Sequence, residues 1–551
     1  MAFEVEHDWQ AHLATPRPRI GENAKTRLLL LLCALWICLG LVGHDPWKPY
    51  EPQTVSIVKG IVHGGSWVIP AVAGVASLPN PPLYYLSAAA IAKLLSPWLP
   101  LHDAARIVTG LWMALTLLMV GLTGRELWGK GSGRQTTFIF LGSLGMVVAA
   151  HALTPEVAGL TGCAMGMYSL ALARRRPLRA GVLLGSGIGI SFLATGPLTA
   201  EIIAATAIVL PILFGNWRSK RYSITLGIAL LAASPWLVIW PILCWQAAPD
   251  LFLTWWHQGR HVLDNTSQIY FLQTLSWYSW PALPLAAWSV WHHRTLLLHK
   301  AEFQLLLMLF AVSFLLLGFG ADERDILALP LLLPMAALAG GAVEYLRRGA
   351  ANALDWFGLI LFGIMGSFIW LSWVAMMTGT PSRLAARMHK LSEAYIPSFH
   401  WMAFAAALTV SIVWLLVAVR NKRSSRAAVT GWALGITMVW GLLMTLWLPW
   451  LNANKGYQGM IASMQRALPK HYACVTSLHL ASSQRALLDY YADIRTQPFE
   501  MVQHMDCDLY LIQDERGHDK INPGSDWKLI WQGKRPSDRH ESFRLYRRRV
   551  N

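Results

Sequence analysis

The sequence predicts an all-α polytopic membrane protein of about thirteen transmembrane helices, followed by a small C-terminal α/β domain. Three observations carry this reading. Thirteen long apolar stretches run through the chain, the loops between them alternate in charge, and the last fifth changes to short strand-like and helix-like runs.

Every second loop is rich in cations: Arg125, Lys130 and Arg134; Arg174, Arg175, Arg176 and Arg179; Arg218, Lys220 and Arg221; Arg294 and Lys300; Arg347 and Arg348; Arg420, Lys422, Arg423 and Arg426. The intervening loops at Thr154-Pro155-Glu156, Gly196-Pro197 and Ala321-Asp322-Glu323 lack that excess. Cytoplasmic loops of membrane proteins carry the surplus Arg and Lys, so the N-terminus is expected inside. An odd number of spans then puts the C-terminus outside. The composition agrees, with 55% hydrophobic and 14% charged residues and a mean hydropathy of +0.40. The net charge of +16 sits mostly in the cytoplasmic loops and reads as a topology determinant facing anionic lipid, not a nucleic-acid surface. The 28 Trp residues suit interfacial belts better than base stacking.

The expected spans are 27–43, 104–124, 135–153, 157–173, 180–196, 198–214, 222–244, 276–291, 303–320, 326–346, 355–377, 400–419 and 429–450. Each approaches the ~20 residues needed to cross ~30 Å of hydrocarbon. Gly196-Pro197 divides the block 180–214, because proline removes a backbone donor and clashes with the preceding turn. The first span follows Lys25 and Arg27 without an evident cleavage site, and reads as a retained anchor.

The mass outside the membrane is therefore concentrated on one face: a first loop at 44–103, a loop at 245–275, a shorter one at 378–399, and the tail. The division falls into a transmembrane domain, 1–450, and an outer α/β domain, 451–551. In the tail, 456–468 is amphipathic, 473–478 reads as a strand and 482–491 as a helix. Runs at 509–512, 527–531 and 543–546 read as further strands. Cys33, Cys38, Cys163 and Cys244 lie in or beside spans, as apolar fillers. Cys474 and Cys507 alone fall in the tail, and an oxidising compartment there would favour their disulfide.

No phosphate-binding glycine loop, dinucleotide fingerprint or Ser/His/Asp arrangement is present, and no cofactor is indicated. A divalent metal is not supported: His257 and His261 share i, i+4 spacing but lack a third ligand nearby. The run Gly185-Ser186-Gly187-Ile188-Gly189 lies inside a span and reads as close helix packing.

The first loop opens on His44-Asp45-Pro46-Trp47-Lys48-Pro49-Tyr50-Glu51. It continues through Gly64-Gly65-Ser66-Trp67, Ala73-Gly74 and Asn80-Pro81-Pro82-Leu83-Tyr84-Tyr85 to His102-Asp103-Ala104-Ala105-Arg106. This stretch resembles the first periplasmic loop of the lipid A-modifying aminoarabinose transferases and the protein O-mannosyltransferases, which are GT-C integral-membrane glycosyltransferases. The likeness extends to Trp255-Trp256 with Arg260, to 331–340, and to the span layout with its α/β tail. It implies transfer of a sugar from a polyprenyl-phosphate donor to a lipid, glycan or protein acceptor on the periplasmic face of a bacterial inner membrane, with membrane lipids as the surroundings.

The resemblance also assigns roles. A lipid-phosphate donor calls for cations at the leaving phosphate and a carboxylate for the acceptor proton. The family carries Asp-Glu where this chain has Tyr50-Glu51, and Glu-Lys-Pro where it has Pro79-Asn80-Pro81. The candidate carboxylates are Glu51, Glu156 and Asp45, with Glu51 preferred for its place beside the altered position. Structural readings stand beside each: an ion-pair partner for Glu51, a helix N-terminal carboxylate for Glu156, a turn residue for Asp45. Phosphate candidates are Arg260, Lys59, Arg106 and Arg324, set against a headgroup-facing role for Arg260, an anchoring role for Arg106 and a local ion cluster for Arg324. Tyr50, Asn80, Tyr84 and Tyr85 are expected to line the cavity. The alternatives are a relative that keeps the fold but transfers little, for which Tyr50 and Asn80 speak, and a lipid or sugar transporter, against which the scarcity of intramembrane charge speaks.

Overall fold

The computed structural model describes residues 21–258, 267–392, 395–420, 424–502, 507–515, 523–535 and 541–549. From the N-terminal side come α1 (Glu22–Cys38), α2 (Glu51–Val62), a two-strand hairpin of β1 (Ala71–Val72) and β2 (Val75–Ala76), α3 (Leu83–Leu95) and α4 (Leu101–Trp128). Then follow α5 (Ser132–Leu141), α6 (Met146–Ala149), α7 (Glu156–Leu172), α8 (Pro177–Thr195), α9 (Pro197–Leu213), α10 (Lys220–Ala247) and α11 (Pro249–Gln258). The second half of the bundle holds α12 (Gln268–Tyr278), α13 (Ala282–His292), α14 (Ala301–Gly320), α15 (Leu329–Ala342), α16 (Arg348–Thr378), α17 (Ser382–Leu391), α18 (Trp401–Arg420) and α19 (Ser425–Leu443).

Every expected span falls on a helix or on a pair of helices. Among the described residues, eight segments are long and apolar enough to cross a membrane: α4, α8, α10, α14, the run Asp325–Tyr345 that contains α15, α16, α18 and α19. The other five expected spans lie on α1, α5 with α6, α7, α9, and α12 with α13, which are shorter or interrupted. Gly196 divides α8 from α9 at φ +92, a left-handed conformation open to glycine and costly for other residues. The apolar faces of α10 and α18 are exposed, as at Leu230, Leu231, Leu415 and Val419, and suit a lipid surrounding.

Two interruptions the sequence did not foretell satisfy one another. The break between α5 and α6 frees the amides of Leu144 and Gly145. These donate to the carbonyls of Trp280 (3.1 Å) and Tyr278 (2.8 Å), at the break between α12 and α13. Irregular backbone is tolerated at membrane depth only where protein partners take up its polar groups. Glycine at 145 is required by packing, since a Cβ there would meet the Tyr278 ring at 2.2 Å.

The tail continues through α20 (Leu448–Lys455), α21 (Gln458–Ala467) and α22 (Ser482–Ala492), with β3 (Val475–Leu478), β4 (Thr496–Pro498), β5 (Leu509–Glu515), β6 (Trp527–Gly533) and β7 (Glu541–Arg548). The sheet order is β4-β3-β5-β7-β6. β3 is parallel to β4 and β5, whereas β7 is antiparallel to β5 and β6. β3 crosses to parallel β4 through α22, and one apolar core joins Met460, Ile461, Leu487, Leu488, Leu509, Leu511, Phe543 and Leu545. The Cys474–Cys507 disulfide is present, with Cα atoms 4.8 Å apart. It ties the segment before β3 to the segment before β5.

Candidate active site between the first loop and the helix ends

The first loop is built around a buried cation. Arg106, on α4, is fully enclosed. Its Nε meets Glu51 Oε1 at 2.9 Å and its Nη1 meets Asp103 Oδ1 at 2.8 Å. The remaining guanidinium hydrogens reach the carbonyls of Leu41 (3.3 Å) and His44 (3.1 Å). Glu51 in turn accepts from the backbone amides of Trp47 (2.9 Å) and Leu153 (2.8 Å). Burial alone would raise the Glu51 carboxyl, but the adjoining Arg106 charge outweighs it and holds it below the usual range. His44 lies 3.6 Å from Glu51, which favours its cation. Burial, with Arg106 beside it, prevails and lowers its pKa to about 4. The ring is neutral, and Nδ1 donates to the Asp45 carbonyl at 2.9 Å.

A second set of contacts ties the first loop to the tail. Lys59 Nζ bonds the Asp489 carbonyl and meets Asp493 Oδ1 at 2.5 Å. Ser56 Oγ donates to Asp489 Oδ2 at 3.1 Å. His102 Nδ1 lies 2.7 Å from the Tyr490 hydroxyl. The Asp45 amide donates to Asn452 Oδ1 at 3.1 Å, and its carboxylate lies within electrostatic reach of Tyr491. Burial raises the Asp45 carboxyl above its usual range.

These facts change the places that sequence gave several residues. Glu51 and Arg106 are sealed against each other, leaving neither a free face for a substrate. Lys59 is engaged by the tail's carboxylates, and Asp45 bridges loop and tail. Tyr84 is buried, with its hydroxyl on Thr109 Oγ1 at 2.7 Å, so it braces α3 against α4 instead of lining a cavity. Arg260 and His261 lie outside the described residues.

The partly exposed groups collect elsewhere. Tyr50, at the N-cap of α2, donates its hydroxyl to the carboxylate of Asp325. Asp325 opens the 3-10 turn Asp325–Ala328 that leads into α15. Glu156, at the first turn of α7, accepts from Thr154 and lies 3.9 Å from the half-exposed Arg324. Tyr85, buried like Tyr84, hydrogen-bonds Asn80 and lies within electrostatic reach of Glu156. Tyr270 and Tyr278 share the electrostatic neighbourhood of Tyr50 and Asp325. The buried Tyr278 hydroxyl has no hydrogen-bond partner among the described residues. Two carboxylates, an arginine and several phenols thus meet where the first loop touches the starts of α7 and α15. Sequence reasoning missed Asp325, because its partner is 275 residues away. Its neighbours Asp322, Glu323 and Arg324 made it look like one member of a solvated cluster.

A polytopic helical bundle, a first loop braced by a buried ion pair, and an α/β unit docked on that loop make up a fold of the GT-C polytopic type. The particular likeness is to ArnT of Cupriavidus metallidurans, solved with bound undecaprenyl phosphate. The folds match with a TM-score of 0.69 over 95% of this chain and 98% of that one, at 13% identity. Two sequence relatives are the undecaprenyl phosphate-α-4-amino-4-deoxy-L-arabinose arabinosyl transferases of Pseudomonas savastanoi pv. phaseolicola and Serratia proteamaculans. The first is 26% identical over 350 residues, 60% of this chain and 64% of the relative. The second is 23% identical over 483 residues, 84% and 81% respectively. No family model matches the chain. The protein is a multi-pass membrane protein.

Proposed function

We propose that this protein transfers a sugar from a polyprenyl-phosphate carrier to an acceptor, at the end of the bundle where the first loop and the α/β unit meet. The observation that carries the proposal is the fold match across nearly the whole of both chains, together with the cluster of Tyr50, Glu156, Arg324 and Asp325 at that end. The matched structure holds undecaprenyl phosphate, and the relatives move aminoarabinose from that carrier. The same carrier is the donor assigned here, and lipid A is the first acceptor to try. Arg324, whose side chain is about half exposed, is assigned here to the leaving phosphate, where a guanidinium can take two oxygens at once. Arg260 is retained as a second phosphate ligand on the strength of the sequence resemblance.

In this reading the site faces the periplasm of a bacterial inner membrane. Residues 1–450 form the transmembrane catalytic domain and 451–551 the outer domain. The cation-rich loops at the other end of the bundle support the orientation. Reporter fusions after Arg426 and after Lys455 should give opposite compartment signals, and equal signals would overturn it.

The activity is tested with purified full-length protein, undecaprenyl phosphate-4-amino-4-deoxy-L-arabinose and lipid A. Release of undecaprenyl phosphate together with sugar on the acceptor supports the proposal. Tyr50 and Asn80, where the resembled family carries Asp and Lys, favour one rival, a fold-retaining protein that binds the carrier without turnover. Carrier binding without release would favour that rival.

A further inference from the structure

The carboxylates near the first loop differ sharply in availability. Glu51 and Asp103 are buried on Arg106, and Asp45 lies between loop and tail, its backbone held by Asn452. Glu156 is largely enclosed and sits between Thr154 and Arg324. Asp325 is the contrasting case. It is partly exposed, and among the described residues its hydrogen bond comes from the neutral Tyr50 phenol. A carboxylate held by a neutral donor keeps a lone pair for a second partner. Burial and the adjoining Asp325 carboxylate both raise Tyr50 above the usual phenol range, so it remains the proton donor of the pair.

Other features of the neighbourhood point to a ligand. The buried Tyr278 hydroxyl lacks a partner among the described residues while lying within electrostatic reach of Asp325, Tyr50 and Tyr270. A buried hydroxyl is rarely left unpaired in a finished structure. Arg324, adjacent in the chain to Asp325, carries an accessible cation loosely paired with Glu156. Base and phosphate ligand thus reach the site from consecutive residues on one turn.

We propose that Asp325 is the general base of the transfer, aimed by the Tyr50 hydroxyl as a positioning residue. This rests on the transferase reading above and assigns it a carboxylate the sequence motif does not contain. The acceptor oxygen forms a bond to the anomeric carbon as the carbon–oxygen bond to the carrier phosphate breaks. The acceptor proton passes to Asp325, and the electron pair leaves on the phosphate as polyprenyl phosphate.

The test uses purified full-length protein, undecaprenyl phosphate-4-amino-4-deoxy-L-arabinose as donor and total bacterial membrane lipid with lipopolysaccharide as the acceptor pool. Release of undecaprenyl phosphate is the readout. Asp325→Asn should lose ~10²–10⁴-fold in turnover with carrier binding retained. Tyr50→Phe should lose less, and should move the acidic limb of the pH–rate profile to higher pH, because a donor to the carboxylate is gone. Tyr50→Asp alone sets two carboxylates together and should lower turnover, while Tyr50→Asp with Asp325→Tyr should recover it to within about tenfold of the natural protein. Full turnover in Asp325→Asn with an active natural protein overturns this inference and leaves the transferase reading standing. No release by the natural protein overturns both. Should Asp325→Asn fail to fold, the Tyr50→Phe profile decides, and an unmoved acidic limb sinks the proposal.

Discussion

Glu51 and Arg106, 55 residues apart in the chain, form a sealed ion pair with Oε1 and Nε at 2.9 Å. Their side chains are 2% and 0% exposed. This pair fixes the start of α2 to α4, and the Leu153 amide on Glu51 brings in the turn before α7. Tyr50 directly precedes Glu51 in the chain, so the position of its hydroxyl on Asp325 depends on this enclosed pair.

Glu51→Gln should therefore act first on stability. Removing one charge from a buried pair leaves the other uncompensated, at a cost of about 3–5 kcal/mol. Thermal unfolding in detergent should show a clear drop in midpoint for Glu51→Gln and a larger one for Arg106→Ala, which also abandons two carbonyls and Asp103. An unchanged midpoint for both would refute the structural role and return Glu51 to the catalytic candidates.

His44 should make that framework acid-sensitive. In the fold its pKa lies at about 4, against 6.5 for the free side chain. The unfolded chain therefore binds the extra proton between these values. Its contribution is whole above pH 6.5 and is lost as the pH falls toward 4, to a limit of about 3 kcal/mol. Asp45, raised by burial, has the opposite sign and offsets part of the loss. Unfolding followed from pH 7 to 4 should show stability falling, and His44→Gln should flatten the curve. An equal slope in the variant would show that another group titrates.

Much of the fold is legible in the sequence, for definite reasons. Loop charge and apolar runs locate the membrane helices because each span must solve the same problem of length and desolvation. In the tail, period-two runs locate β3, β5, β6 and β7, while the three-residue β4 is too short to carry a pattern. The breaks at 142–145 and 279–281 are illegible singly, because each is tolerated only through the backbone of the other. The site divides in the same way. The first-loop motif marks Tyr50, Asn80 and Tyr85 and a helix-start signal marks Glu156, but no motif says that Glu51 is enclosed by Arg106 or that Asp325 arrives from the far half of the chain.

The disulfide offers a check on the tail. Cys474 and Cys507 close a loop with a sequence separation of 33, for which the chain-entropy estimate is roughly 3–4 kcal/mol. Peptide mapping without reductant should recover the linked pair from protein made in an oxidising compartment. Cys474→Ser should lower the unfolding midpoint of the tail and increase its amide exchange near β3 and β5. Recovery of both cysteines as free thiols from that protein would contradict the bond.

Asp489 should prove the most sensitive point of the contact between tail and first loop. It is buried on α22, takes hydrogen bonds from Ser56 and Arg495, and lies 3.8 Å from Lys59. Lys59→Ala removes a pair whose other member, Asp493, is exposed, and exposed pairs contribute about 0–1 kcal/mol. Asp489→Ala instead leaves the buried Ser56 hydroxyl without this acceptor and strips Lys59 of its enclosed partner, for roughly 2–3 kcal/mol. Ser56 also accepts from the Ala73 amide at 3.0 Å, so the loss should spread into the β1–β2 hairpin. Hydrogen exchange should accordingly rise in 51–76 and 482–495 for Asp489→Ala, and only slightly for Lys59→Ala. Because Tyr50 caps the same helix, undocking should also lower turnover in proportion to the exchange. Full protection of both segments in Asp489→Ala would mean that the tail is held by apolar contacts alone.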